Sequence, residues 1–143
     1  ITVVTNGVNA ADANTMLQEM AQSLSALAKD LNIVIFIFCH LKAHDGNISK
    51  EQRIKKYKEG EYWDLGNCPH ERGGSIFSTQ FAGSRAMMRS AHLMLGLEAN
   101  KDEDLDEHIR NTRRIRILED REFGETGSVQ IFWNEKTTRF LEA

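Results

Sequence analysis

Residues 33–42 read IVIFIFCHLK, and no other stretch of the chain restricts the possible folds so tightly. Six apolar residues, all β-branched or aromatic, follow one another without polar alternation before Cys39, His40 and Lys42. A strand of that composition is buried on both faces, the pattern of a central strand in a parallel sheet covered by helices. Ligands of open α/β sheets bind outside the carboxyl ends of the strands. His40 and Lys42 therefore leave the strand where a reactive or ligand-sensing group is expected.

The flanking segments agree with an α/β chain. Ile1 to Thr5 (ITVVT) is short and β-rich, and Asn6-Gly7 ends it as a turn. Between Ala11 and Leu31 the apolar residues Met16, Leu17, Met20, Ala21, Leu24, Leu27, Ala28 and Leu31 recur at the spacing of an amphipathic helix, with Asn9 or Asp12 as its cap. Strand, helix and strand in this order make a right-handed parallel crossover. Further on, Gly83 to Ser90 forms a short helix and Ala91 to Leu97 (AHLMLGL) another strand. Asn111 to Leu118 places Ile115 and Ile117 on one face and Arg114 and Arg116 on the other. Glu119 to Gly127 is a glycine-bounded turn around Arg121, and Ser128 to Trp133 with Thr138 to Leu141 makes a terminal antiparallel hairpin. The chain opens inside a strand with no methionine, so it is expected to be a piece of a longer protein.

A length of 143 residues with 41% hydrophobic and 27% charged side chains describes one globular domain. No stretch nears the roughly 20 apolar residues of a membrane span, and the first residues show no basic, apolar, small-residue signal pattern; no membrane partner and a cytoplasmic location are expected. Cys39 and Cys68 do not make a disulfide framework. With a net charge of −3, contact with nucleic acid has to rest on a local basic patch. Lys50, Arg53, Lys55, Lys56 and Lys58 supply one, with Tyr57, Tyr62 and Trp63 close behind. Phosphate contact and base stacking on single-stranded nucleic acid is one reading of it. The other is a solvated helix whose charge Glu51, Glu59 and Glu61 offset.

Regular periodicity is lost from Ala43 to about Ser78, which is expected to be a long glycine-punctuated connection. The acidic residues Asp102, Glu103, Asp104, Asp106 and Glu107 read as a solvated surface insertion. Cys39, His40, His44, Cys68 and His70 supply zinc donors in number, but without the Cys-x-x-Cys spacing that closes a tetrahedral site. There is no GxxxxGK[ST] phosphate loop, no GxSxG elbow and no paired-carboxylate signature, so a nucleotide would take its phosphate cradle from elsewhere. Arg121 on its turn either reaches a phosphoryl group across a subunit boundary or pairs with Asp120 or Glu122.

Three segments in order carry a resemblance: Asp12 to Lys42, Gly83 to Glu98 (GSRAMMRSAHLMLGLE) and Arg114 to Gly127 (RIRILEDREFGETG). Together they resemble the C-terminal half of the RecA-like motor domain of hexameric replicative DNA helicases of the DnaB type, bacteriophage primase-helicases above all. The resemblance implies a three-layer α/β fold with a mainly parallel central sheet and a C-terminal antiparallel hairpin, present here as a partial domain over residues 1–143. It implies a fragment of an NTP-dependent helicase that translocates on single-stranded DNA as a ring, a hexamer, in the cytoplasm of a bacterium or a phage-infected host. ATP or dTTP with Mg2+ would be bound mainly by residues outside the fragment, because the phosphate loop and the Walker B aspartate fall upstream of Ile1.

Position by position, His40 matches the histidine that senses the γ-phosphate, and Arg121 matches the arginine finger acting in trans. Trp133 sits where the phage enzymes place an aromatic against the base. Lys42 and the basic run Lys50, Arg53, Lys55, Lys56 and Lys58 would belong to the DNA-binding loop. Three positions depart from the family. Arg89 stands where a glutamine of the sensor coupling is usual, Glu119 where a lysine is usual at the nucleotide edge, and Ala99 where an arginine can sandwich the base. A RecA-type recombinase or loader ATPase shares the sheet and is the alternative, as is a non-catalytic nucleic-acid-binding module for these residues in isolation.

Overall fold

The computed structural model describes residues 7, 9–42, 46, 48–81 and 85–142. Helix α1 (Ala10–Leu31) begins at Asn9, whose side-chain oxygen accepts hydrogen bonds from the amides of Ala11 and Asp12 at 3.1 and 3.0 Å. It ends at Asn32, which adopts the left-handed conformation (φ 50°) that closes a helix C-terminus. Leu17 and Ala21 form its buried stripe, with Met20 and Cys39 packed against them.

The run after α1 differs from expectation. Residues 33–40 pair in no ladder with other described residues, and Val34, Phe36 and Phe38 are 78%, 74% and 90% exposed. Burial on both faces requires covering layers and flanking strands; among the described residues α1 packs on the run at Cys39, and no strand flanks residues 33–40 on either side. Leu41 alone bridges, antiparallel to Phe81, and the Lys42 amide donates to the Gln80 carbonyl at 2.7 Å. The expected strand Ile1 to Thr5, the other side of the crossover, lies outside the described residues.

Among the described residues the sheet is antiparallel in every pair, where a mainly parallel one was expected. Strands β1 (Leu93–Ala99), β2 (Thr112–Asp120), β3 (Gly127–Asn134) and β4 (Arg139–Glu142) follow one another as a meander in the order β1-β2-β3-β4. Short turns join β2 to β3 and β3 to β4, and such turns make neighbours antiparallel. The β3–β4 hairpin lies where the sequence pattern puts it.

The long connection holds the helix that one reading of its basic run expected, and the acidic segment departs from expectation. This helix, α2 (Lys50–Lys58), starts at a capping box in which Ser49 and Gln52 satisfy each other's backbone amides. The acidic segment is not a free loop. Asn100 and Asp102 are buried, Leu105 is buried beside them, and helix α4 (Glu107–Asn111) leads into β2.

The sheet covers its charged face. Ile76, Leu65 and Cys68 are fully buried in the segment that crosses β1, whereas Leu93, Leu95 and Leu97 on the opposite face are 49%, 43% and 55% exposed. Arg114 faces Glu98 and Arg116 faces Gly96 across the β1–β2 ladder, on the covered side. Helix α3 (Arg85–Ser90) packs on α1 and feeds β1.

Candidate functional site

The carboxyl end of β2 holds Arg121. Its backbone amide donates to the His92 carbonyl at 3.0 Å, which fixes the turn against the start of β1. Asp120 shapes the turn, accepting the amides of Glu122 and Phe123 on Oδ1 at 3.0 and 3.1 Å. The guanidinium pairs with Glu119, Nε to Oε1 at 3.0 Å, rather than with Asp120 or Glu122. Its Nη2 donates to the Met88 carbonyl at 2.9 Å and its Nη1 to the Arg89 carbonyl.

Arg121 and Arg89 are therefore brought together. Both line a cavity of about 490 Å³ between α1 and the end of α3, with Lys29, Asp30 and His92. Trp133 is elsewhere, half-buried on β3 and packed against Phe140 across the hairpin, ring centres 4.9 Å apart and planes tilted by 59°. His40 and Lys42 are exposed at the end of the extended run.

The basic run separates into two sets. Arg53 is buried and pairs with Asp102 (Nε to Oδ2, 2.9 Å), so it is not a cation facing a ligand. Lys50 reaches Asp104 at 2.9 Å and Lys56 reaches Glu61 at 2.8 Å. Lys55 and Lys58 are exposed and pair with no carboxylate among the described residues. A helix with partly offset charge, the second reading of this stretch, accounts for Lys50, Arg53 and Lys56.

Around Asp102 the groups interlock. The Tyr57 hydroxyl donates to Asp102 Oδ2 at 3.0 Å, and the Asn100 amide donates to the Tyr62 carbonyl at 2.8 Å. Burial pushes the Tyr57 hydroxyl up to about 12, and the Asp102 acceptor helps keep it protonated. Burial also disfavours the Asp102 carboxylate, but bonds from Arg53, the Asp104 amide and Tyr57 outweigh that and leave its value lowered.

A second network passes unnoticed in the sequence. Glu98, fully buried, accepts Arg114 Nε and Arg116 Nε at 2.6 Å each and the Ile76 amide at 2.8 Å. Arg114 also forks onto Asp64 at 2.7 and 2.9 Å and lies 5.0 Å from the centre of the Trp63 ring. The Arg114 hydrogen bonds hold the Asp64 carboxyl at about 2. These contacts fasten the segment around Trp63 to Ile76 onto β1 and β2. A glutamate in an otherwise apolar strand opposite alternating arginines was the available signal.

No group of three or more His, Cys, Asp or Glu among the described residues could hold a metal ion. Nor is any described helix long and apolar enough to cross a membrane.

No protein-family model matches the chain. In sequence it is similar to the DNA helicase/primase of Enterobacteria phage T3, 25% identical over 142 residues that cover 99% of this chain and 21% of that protein. It thus spans about a fifth of that relative's length. Among solved structures it is similar to an ATPase domain, with a TM-score of 0.60 and 14% identity over 91% of this chain and 37% of the other. It is similar also to a DnaB-like replicative helicase studied for its interactions with primase, TM-score 0.61 and 13% identity, over 90% of this chain and 25% of that one. The chain resembles a phage helicase/primase in sequence and DnaB-type helicase motor domains in fold. Arg121 stands on the turn between β2 and β3 of the meander.

Proposed function

We propose that this chain is the C-terminal portion of the motor domain of a replicative DNA helicase, which hydrolyses NTP with Mg2+ and translocates on single-stranded DNA as a hexameric ring. The observation that carries the reading is the likeness to a phage helicase/primase along nearly the whole chain, joined to an Arg121 held at an exposed turn. An arginine there suits a role in trans, because it serves no buried pair of its own subunit. Arg121 and Arg89 offer cations to a nucleotide at one place, Trp133 stands apart from them on the β3–β4 hairpin as a separate candidate contact to a base, and the phosphate cradle and the magnesium ligands are assigned to residues outside the chain.

In this reading Arg121 is the arginine finger and His40 the phosphate sensor, Arg89 contacts nucleotide beside Arg121, and Trp133 meets a base from the β3–β4 hairpin. Lys42, Lys55 and Lys58 grip DNA phosphates, and Lys50 and Lys56 join them only by leaving their carboxylates. Arg53 instead holds α2 in place through Asp102. The coupling follows from state-dependent contact: a hydrogen bond from His40 present only with the γ-phosphate biases the DNA-facing loop.

Arg121→Ala in the full-length protein tests the reading. Arginine fingers contribute about 10³ to 10⁵ in turnover, so NTP hydrolysis should fall by orders of magnitude while nucleotide binding, measured by equilibrium titration, stays nearly intact. Near-normal turnover refutes the assignment.

A further inference from the structure

The Arg121 side chain directs its hydrogen bonds to its own subunit. Of its guanidinium nitrogens, Nη2 and Nη1 donate to the carbonyls of Met88 and Arg89, and Nε lies 3.0 Å from Glu119 Oε1. Those carbonyls belong to the last turn of α3, where backbone acceptors lack intrahelical partners and carry partial negative charge. A planar fork of donors suits such a site well. Glu119 is the one carboxylate in the set, and both partners of the pair are about 40% exposed, at 39% and 40%.

Beside this contact lies the cavity of about 490 Å³, which Arg121 shares with Lys29, Arg89, His92 and a single carboxylate, Asp30. The cavity gives the guanidinium room to move away from α3. Lys29 and Arg89 also repel it, and Glu119 opposes that repulsion. An arginine that must reach another subunit's phosphate is active only in the fraction of time it is free.

We propose that Glu119 and the α3 carbonyls form a latch that retains Arg121 on its own subunit, released each time the arginine engages a neighbouring nucleotide. The inference rests on the reading of Arg121 as a group acting in trans. Glu119 touches no nucleotide in this scheme. It is a positioning residue that sets how often Arg121 is deployed, through its ion pair with Arg121 Nε.

The test is steady-state NTP hydrolysis by the full-length protein on single-stranded DNA, comparing wild type, Glu119→Gln, Arg121→Ala and the double variant. Glu119→Gln should raise turnover about two- to five-fold at low salt, the range that an exposed ion pair supports. The gain should shrink in added salt, which screens the wild-type pair. In the Arg121→Ala background Glu119→Gln should change nothing. If Arg121→Ala abolishes turnover but Glu119→Gln leaves it unchanged or lower, the latch is overturned and the role of Arg121 stands. A gain that persists without Arg121 also overturns the latch. Near-normal turnover of Arg121→Ala overturns both.

Discussion

Glu98→Gln removes one buried negative charge while nearly keeping the side chain's volume. The carboxylate is fully buried and receives two arginine Nε donors at 2.6 Å and the Ile76 amide at 2.8 Å. An amide retains one acceptor oxygen and turns an NH2 group toward one guanidinium, donor against donor. Neutralising one partner of a buried pair costs about 3–5 kcal/mol. Arg114 keeps its fork on Asp64, and Arg116, with a side chain 25% exposed, has access to water, so the lower end, about 3 kcal/mol, is expected. At 1.36 kcal/mol per decade that is about a hundredfold. The assay is urea unfolding of the full-length protein together with hydrogen exchange at the Ile76 amide, which should accelerate by about that factor if the segment opens locally. Asp64→Asn is the control. Its side chain is 53% exposed, and its loss should stay below about 1 kcal/mol. A Glu98→Gln loss no larger than the control's, or an Ile76 amide that exchanges as before, refutes the reasoning.

The remaining expectations concern the same packing. Asp64 has its carboxyl lowered to about 2 from an ordinary 3.8, so its contribution is full above the unfolded value and is lost as pH falls from about 4 to about 2. The urea midpoint should drop across that window, and Asp64→Asn should remove this part of the drop. Tyr57 is raised from 10.0 to about 12, so stability falls as pH rises from about 10 to about 12, because the unfolded chain ionises first. Tyr57→Phe should flatten this alkaline limb in the same titration. Gly74→Ala places a methyl group against the Cys68 carbonyl, a backbone atom that cannot step aside, and should lower the melting temperature more than Gly124→Ala. Gly124 faces open space, and alanine there bears only the strain of a φ of +68°, about 1–2 kcal/mol. Equal shifts for the two variants would refute the close approach.

How much of this was legible depended on the range of the interactions involved. Helix α1 and the β3–β4 hairpin follow from spacing alone, since an apolar stripe and a short turn are local properties. Helix α2 has no such stripe. Its one buried residue is Arg53, whose burial is tolerable only because Asp102, 49 residues later, arrives to pair with it. For the same reason the basic run left two readings open, and the structure divides it into engaged cations and the exposed Lys55 and Lys58. Arg121 was visible as an arginine on a turn, but its orientation toward α3 depends on where that helix ends.

By itself the sequence determined alternation: which residues of β1 and β2 share a face, since successive side chains in a strand point to opposite sides. It put Ile115 and Ile117 on one side and Arg114 and Arg116 on the other. Which side would be covered was decided only by the tertiary structure. Covering an arginine face is favourable only once Glu98 and Asp64 lie within hydrogen-bonding reach of it, and that proximity exists only in the folded chain.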